Sequence, residues 1–218
     1  MKTAALYSER LLEYNPKYRE HTARILRVFH RLEAMKISNY TELINRIDTK
    51  EKCEELTIQA KLPFQDLIST LNHLFRWILP NKNVYLRQLV DESSQVQLDY
   101  VTKLSRQNIK FNLNILEQGR TPKQRKALSK ENGIPEVFIL DLVNRADLTR
   151  LPYVNNKTVM HLCNAGYNSV NKLADVNAEK LKQDMKAYFN KQGIKLGPFI
   201  DTAGLAHEAK IIPKIVEA

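Results

Sequence analysis

Glycine is scarce in this chain, with six among 218 residues and none in the pattern of a phosphate-cradling loop. Without clustered glycines there is no P-loop or dinucleotide fingerprint, and no serine stands in a nucleophile-elbow setting. Cysteine is scarcer still: Cys53 and Cys163 belong to no Cys-x-x-Cys pair, and His21, His30, His73, His161 and His207 lack the paired spacing of metal ligands. The expectation is a protein that is not an enzyme, with no cofactor and no metal site. No apolar run approaches the ~20 residues that cross a bilayer, and the N-terminus turns charged at Glu9 and Arg10 before a signal-peptide core can form. A cytoplasmic protein with two reduced thiols and no membrane partner is expected. Runs of alternating β-branched residues are missing as well, which argues against a sheet and for an all-α fold.

What the chain does have is internal repetition. Lys36 to Val84 reappears as Asn108 to Asn156 at a constant shift without gaps. Leu43 falls on Ile115, Thr49 on Thr121, Leu56 on Leu128, Pro63 on Pro135, Leu67 on Ile139, Asn72 on Asn144 and Pro80 on Pro152. A shorter echo at another shift aligns Leu32, Leu104 and Leu162, and then Ile37, Ile109 and Tyr167. Each echo reads as a helix end, a tight corner and a new helix, with Asn108 and Gly166 where a positive φ is wanted. Repetition of this kind sets the structural unit, here about two and a half modules.

Capping signals sharpen the helix limits. Ala23 to Met35 carries Ile25, Leu26, Val28, Phe29 and Leu32 at one-sided helical spacing. Asn39 or Ser38 caps a short helix from Thr41 to Arg46, and Thr49 caps the next. Thr121 caps a helix with Pro122 in its first position, ending at Gly133. The following helix runs from Pro135 to Asn144. These signals divide the chain into an N-terminal helical extension over 1–22, a first module over 23–95, a second with an extra half repeat over 96–190, and a packed tail over 191–218.

Leu151 to Leu173 resembles a helix-hairpin-helix: a Leu-Pro pair, a hairpin, the basic Lys157, Thr158, an apolar helix, the Ala165-Gly166 corner, Tyr167 and a Ser169-Val170-x-x-Leu173 ending. Together with Gly119 to Leu128 and Asn144 to Arg150, the stretch from about Leu104 to Lys180 is similar to the domain-of-unknown-function family 4332. The resemblance implies tandem helix-hairpin-helix-like modules and brings no established activity. In such hairpins two glycines admit a phosphate to the backbone amides and the next helix's N-terminus. Here Tyr153 and Asn155 take the glycine positions. Asn155 tolerates positive φ, Lys157 keeps the phosphate-facing cation, and Asn156 and Thr158 supply donors. The alternative is a packed corner at Leu151 to Val154.

Charge supplies a second argument. Lys and Arg total 34 against 24 acids, a formal net charge of +10. From Lys103 to Lys130 the cations Lys103, Arg106, Lys110, Arg120, Lys123, Arg125, Lys126 and Lys130 face one acid, Glu117. That bias favours polyanions. Ala127 to Ile134 also resembles the start of a helix-turn-helix, but the next helix, with Val137, Phe138, Ile139, Leu140, Leu142 and Val143, is apolar and reads as core. Two functions follow. One is a non-catalytic nucleic-acid binder, for DNA sooner than RNA, using these cations with Asn155, Asn156, Lys157 and Thr158. The other is a helical adaptor for a protein partner. The sequence leaves the oligomeric state open.

Overall fold

The computed structural model describes residues 4–5, 8–9, 16, 19–75, 79–80, 82–151, 154–194 and 201–217. Among them, regular structure is helical apart from one backbone bridge between Tyr85 and Phe111, so the fold is all-α. The chain divides into two compact units, Met1–Trp77 and Ile78–Ala218.

The first unit holds α1 (Arg19–Ala34), α2 (Tyr40–Arg46), α3 (Lys50–Gln59) and α4 (Phe64–Phe75). Helix α1 starts before the expected Ala23 because Thr22 is already buried on its inner face, in line with Ile25, Val28, Phe29 and Leu32. That stripe lies against α4, which buries Leu67, Thr70, His73 and Leu74. Residues before α1 also belong here. Ser8 Oγ is 3.0 Å from His73 Nε2, and Thr22 Oγ1 donates to Ser8 O at 3.1 Å.

The second unit centres on α8 (Glu136–Leu148), with Ile139, Leu142, Val143, Ala146 and Leu148 buried. Helices α6 (Asn112–Gly119), α7 (Pro122–Asn132), α9 (Asn156–Asn164) and α10 (Val170–Asp175) and the 3-10 turn Leu86–Leu89 pack on it. Helix α5 (Gln95–Arg106) lies against the 3-10 turn, and α12 (Thr202–Ile211) lies on α10 and α11 (Ala178–Lys191). Helix α8 passes the expected stop at Asn144 by a full turn, because that turn is buried and closed by a side-chain pair. Arg150 Nε donates to Asp147 Oδ1 at 2.6 Å, and Nη2 donates to Pro213 O at 2.8 Å, holding the chain beyond α12. Burial pushes the Asp147 carboxyl up, and the Arg150 charge pulls against it.

The division between the two compact units, at 77 and 78, falls inside the stretch 23–95 read from the sequence as the first module. Residues 82–89 are part of the second unit through backbone pairing: Leu86 N–H donates to Lys110 O and Asn112 N–H donates to Val84 O, each at 2.9 Å. Such pairing carries no helical periodicity, so nothing in the sequence pattern marks it.

The expected corners use left-handed residues. Lys36 (φ 61°), Asn108 (φ 64°) and Gly166 (φ 97°) each precede an amide that turns back to a leucine carbonyl: Ile37 to Leu32, Ile109 to Leu104 and Tyr167 to Leu162. Lys61 (φ 49°) and Gly133 (φ 60°) correspond in the same way. Helices α2, α3 and α4 begin at Tyr40, Lys50 and Phe64, and α6, α7 and α8 begin at Asn112, Pro122 and Glu136, at the shift that carries Lys36 onto Asn108.

Candidate nucleic-acid interface

Helix α7 is fixed at both ends. Thr121 Oγ1 accepts from Gln124 N–H at 3.3 Å and Gln124 Oε1 accepts from Thr121 N–H at 3.0 Å, a reciprocal capping box with Pro122 at the first position. Gly133 closes the other end in the left-handed conformation. Leu128 points inward, so Lys123, Lys126 and Lys130, three and four residues apart, share the exposed face.

The last turn of α5 comes to the end of this helix, where Asn132 Nδ2 donates to Gln107 Oε1 at 3.3 Å. Exposed Arg106 adjoins that contact. One turn earlier, Lys103 Nζ stands 5.8 Å from the centre of the Tyr100 ring, which packs on Phe138 at 4.9 Å. Lys110 and Arg120 are exposed at the two ends of α6. Among the described residues none of these seven cations takes part in an ion pair, whereas Lys50, Lys52 and Lys180 each lie within 4 Å of an acid four residues away.

Arg125 does not belong to this surface. It is 3 % exposed, and its Nη1 donates to Gly119 O at 3.4 Å and Arg120 O at 3.2 Å. Its guanidinium serves the terminal carbonyls of α6, which have no partner within their own helix. The fourth residue of α7 faces the core, so the sequence count of eight available cations falls to seven.

The hairpin residues differ from expectation too. Pro152 and Tyr153 lie outside the described residues. Asn155 is extended, with φ −108°, so it does not reproduce a left-handed glycine. It acts as an N-cap: Oδ1 accepts from Thr158 N–H at 3.0 Å and from Thr158 Oγ1 at 3.2 Å. Asn155 Oδ1 and the Thr158 hydroxyl proton are therefore engaged with each other. Lys157 is exposed and Asn156 half-buried. Burial, and then the Lys157 charge one turn away, push the His161 imidazole below its ordinary value. Helix α9 packs on α8, α11 and the 3-10 turn, and no described hydrogen bond or ion pair joins it to α7.

Sequence reasoning missed an aromatic pair. Tyr85 is 50 % exposed and its ring lies 4.6 Å from that of Phe111, tilted by 39°. Phe111 precedes α6 at the N-cap position, where the corresponding Asn39 and Ser169 accept from Glu42 N–H and Lys172 N–H. A phenylalanine there forgoes a cap contributing about 1 kcal/mol. The aromatic pair offsets that loss with about 0.5–1.5 kcal/mol. The departure of Phe111 from its two equivalents was legible in the sequence once the corners were aligned.

A family model described as "Domain of unknown function (DUF4332)" matches residues 94–203, half of the chain. The chain belongs to this family. The DUF4332 match begins at Ser94, the N-cap of α5, and runs into the start of α12, so all seven exposed cations from Lys103 to Lys130 fall within it, while Tyr85 precedes it. No curated protein and no solved structure matches the chain.

Proposed function

We propose that this DUF4332 protein is a non-catalytic nucleic-acid-binding protein, holding phosphates through Lys103, Arg106, Lys123, Lys126 and Lys130. The observation that carries the reading is the unpaired basic face of α7 beside the end of α5, on helices whose ends are capped. Cations without acidic partners attract a polyanion, and a rigid backbone limits the entropy lost on binding. Lys110, Arg120 and Asn156–Lys157 at the start of α9 extend the contact, the last as the remnant of a helix-hairpin-helix. Duplex DNA is the first ligand of this reading. The proposal includes a cytoplasmic location, which the free thiols of Cys53 and Cys163 support. Among the described residues no helix is long and apolar enough to cross a membrane.

Fluorescence anisotropy with a labelled duplex and a labelled single strand tests this. If about five phosphates are neutralised, the logarithm of the binding constant falls against the logarithm of salt with a slope of about −4 to −5. Lys123→Glu with Lys126→Glu flattens that slope, and Lys157→Glu reports whether α9 contributes. Salt-insensitive binding, or none at low salt, refutes the proposal. A second reading, a protein adaptor, draws on Ile58 and Phe64, which are 76 % and 58 % exposed about the corner between α3 and α4. A stoichiometric protein complex that survives nuclease and is lost in Ile58→Asp favours it.

A further inference from the structure

The cation face accounts for phosphates but leaves Tyr85 without a role. Its backbone is held closely. Asn112, fully buried, donates from Nδ2 to Lys82 O at 2.9 Å and accepts at Oδ1 from Val84 N–H at 3.1 Å, while its own N–H returns to Val84 O. Gln88 Oε1 accepts from Tyr85 N–H at 3.3 Å and Asn114 Oδ1 from Phe111 N–H at 3.1 Å. Both aromatics therefore sit on clamped backbone, and the Phe111 ring backs the Tyr85 ring. Half of Tyr85 nevertheless remains open to solvent.

The two segments that carry the pair are of one sign. Residues 82–89 and 106–112 contain Lys82, Arg87, Arg106 and Lys110 and no carboxylate. All four are exposed, and none is in an ion pair among the described residues. An exposed aromatic face beside unpaired cations suits a chain that alternates flat rings with anionic links. Every nucleobase has a face that can stack, and the flanking phosphates need the cations. In a duplex that face is already covered by its neighbours.

We propose that the Tyr85–Phe111 pair is a stacking platform for an unpaired base of single-stranded nucleic acid, with Lys82, Arg87 and Lys110 holding the adjacent phosphates. The inference rests on the proposed nucleic-acid function and narrows its ligand. The corner from Arg106 to Phe111 begins at the contact with the end of α7 and finishes at the platform, so one strand can run from Lys130 to Tyr85 along it.

The test uses the full chain with a labelled oligothymidylate and a blunt duplex. Tyr85→Ala weakens binding of the oligothymidylate by about 5- to 150-fold, the range for losing one stacked base. Tyr85→Phe retains the affinity, and both variants bind duplex as the parent does. Tyr85→Leu, which keeps an apolar contact on Phe111, separates stacking from packing and also loses single-strand affinity. Photocrosslinking of a 5-iodouracil oligonucleotide maps to Tyr85. Unchanged single-strand binding by Tyr85→Ala overturns the platform. Salt-sensitive duplex binding without single-strand binding overturns it too, leaving the broader function standing. Failure to bind either ligand removes both.

Discussion

Replacing Arg125 separates a cation that binds phosphate from one that holds the fold. Sequence spacing puts Arg125 in the basic cluster, yet its side chain is enclosed and donates to the carbonyls of Gly119 and Arg120. In Arg125→Ala the Arg120 carbonyl keeps the Glu217 amide at 2.9 Å, while the Gly119 carbonyl loses its side-chain donor. One charge-assisted bond is worth about 1.5–3 kcal/mol, and the longer of the two here lies at the weak end. Loss of the packed side-chain stem adds to this. The expected destabilisation is about 2–3 kcal/mol, which lowers Tm by roughly 5–10 °C for a unit of this size. Arg125→Met keeps the stem and removes a buried charge, so it costs less. Thermal unfolding and anisotropy on the same samples decide the matter. Arg125→Met binds nucleic acid like the parent at a temperature where both are folded, whereas Lys123→Glu with Lys126→Glu loses affinity with no fall in Tm. Loss of affinity in folded Arg125→Met, with stability unchanged, refutes the assignment of Arg125 to the core.

Two further outcomes follow from packing and ionisation. A Cβ on Gly119 would stand 2.7 Å from Val143 Cγ2, so Gly119→Ala forces α6 and α8 apart and destabilises by about 1–3 kcal/mol in urea unfolding; neutral behaviour disproves the close approach. Tyr167 donates to Asp184, which together with Lys180 keeps that carboxyl below its ordinary 3.8, while burial and then Asp184 push the phenol up to about 12. The depressed carboxyl contributes stability above about pH 4 that is lost as pH falls through its folded-state value, and the raised phenol contributes stability that is lost as pH rises beyond 10. Tyr167→Phe therefore costs about 1 kcal/mol at neutral pH, and the gap from the parent narrows below pH 4. A gap independent of pH in urea titrations removes the bond from the account.

Local signals proved readable where one residue determines one bond. Thr121, Pro122 and Gly133 gave the limits of α7, and Asn108 and Gly166 gave left-handed corners, because caps and positive φ depend on residue type within a turn. Helix starts in the two units fall at one common shift, even though Lys36 and Lys61 occupy left-handed positions that their own type disfavours. Burial of Arg125 was not readable, since a long polar side chain can reach carbonyls that sequence spacing does not place nearby. The backbone pairing of Val84 with Asn112 was hidden for a related reason, since it spans a separation that no periodic pattern covers. Asn155 misled through its tolerance of positive φ, when its side chain found a nearer use as a cap.

Asn112 joins segments that are far apart in sequence through one enclosed amide. Besides its bonds to residues 82–84, its Nδ2 donates to Thr149 Oγ1 at 2.8 Å, just after α8. The stretch carrying Tyr85, the start of α6 and the end of the central helix therefore share one fastening, and none can open without unsettling the others. Amide exchange at Val84 and Asn112 is governed by a common cooperative opening rather than by separate fraying. A ligand seated on the aromatic pair would retard exchange at both positions, carrying the mark of binding from the surface into the centre of the unit.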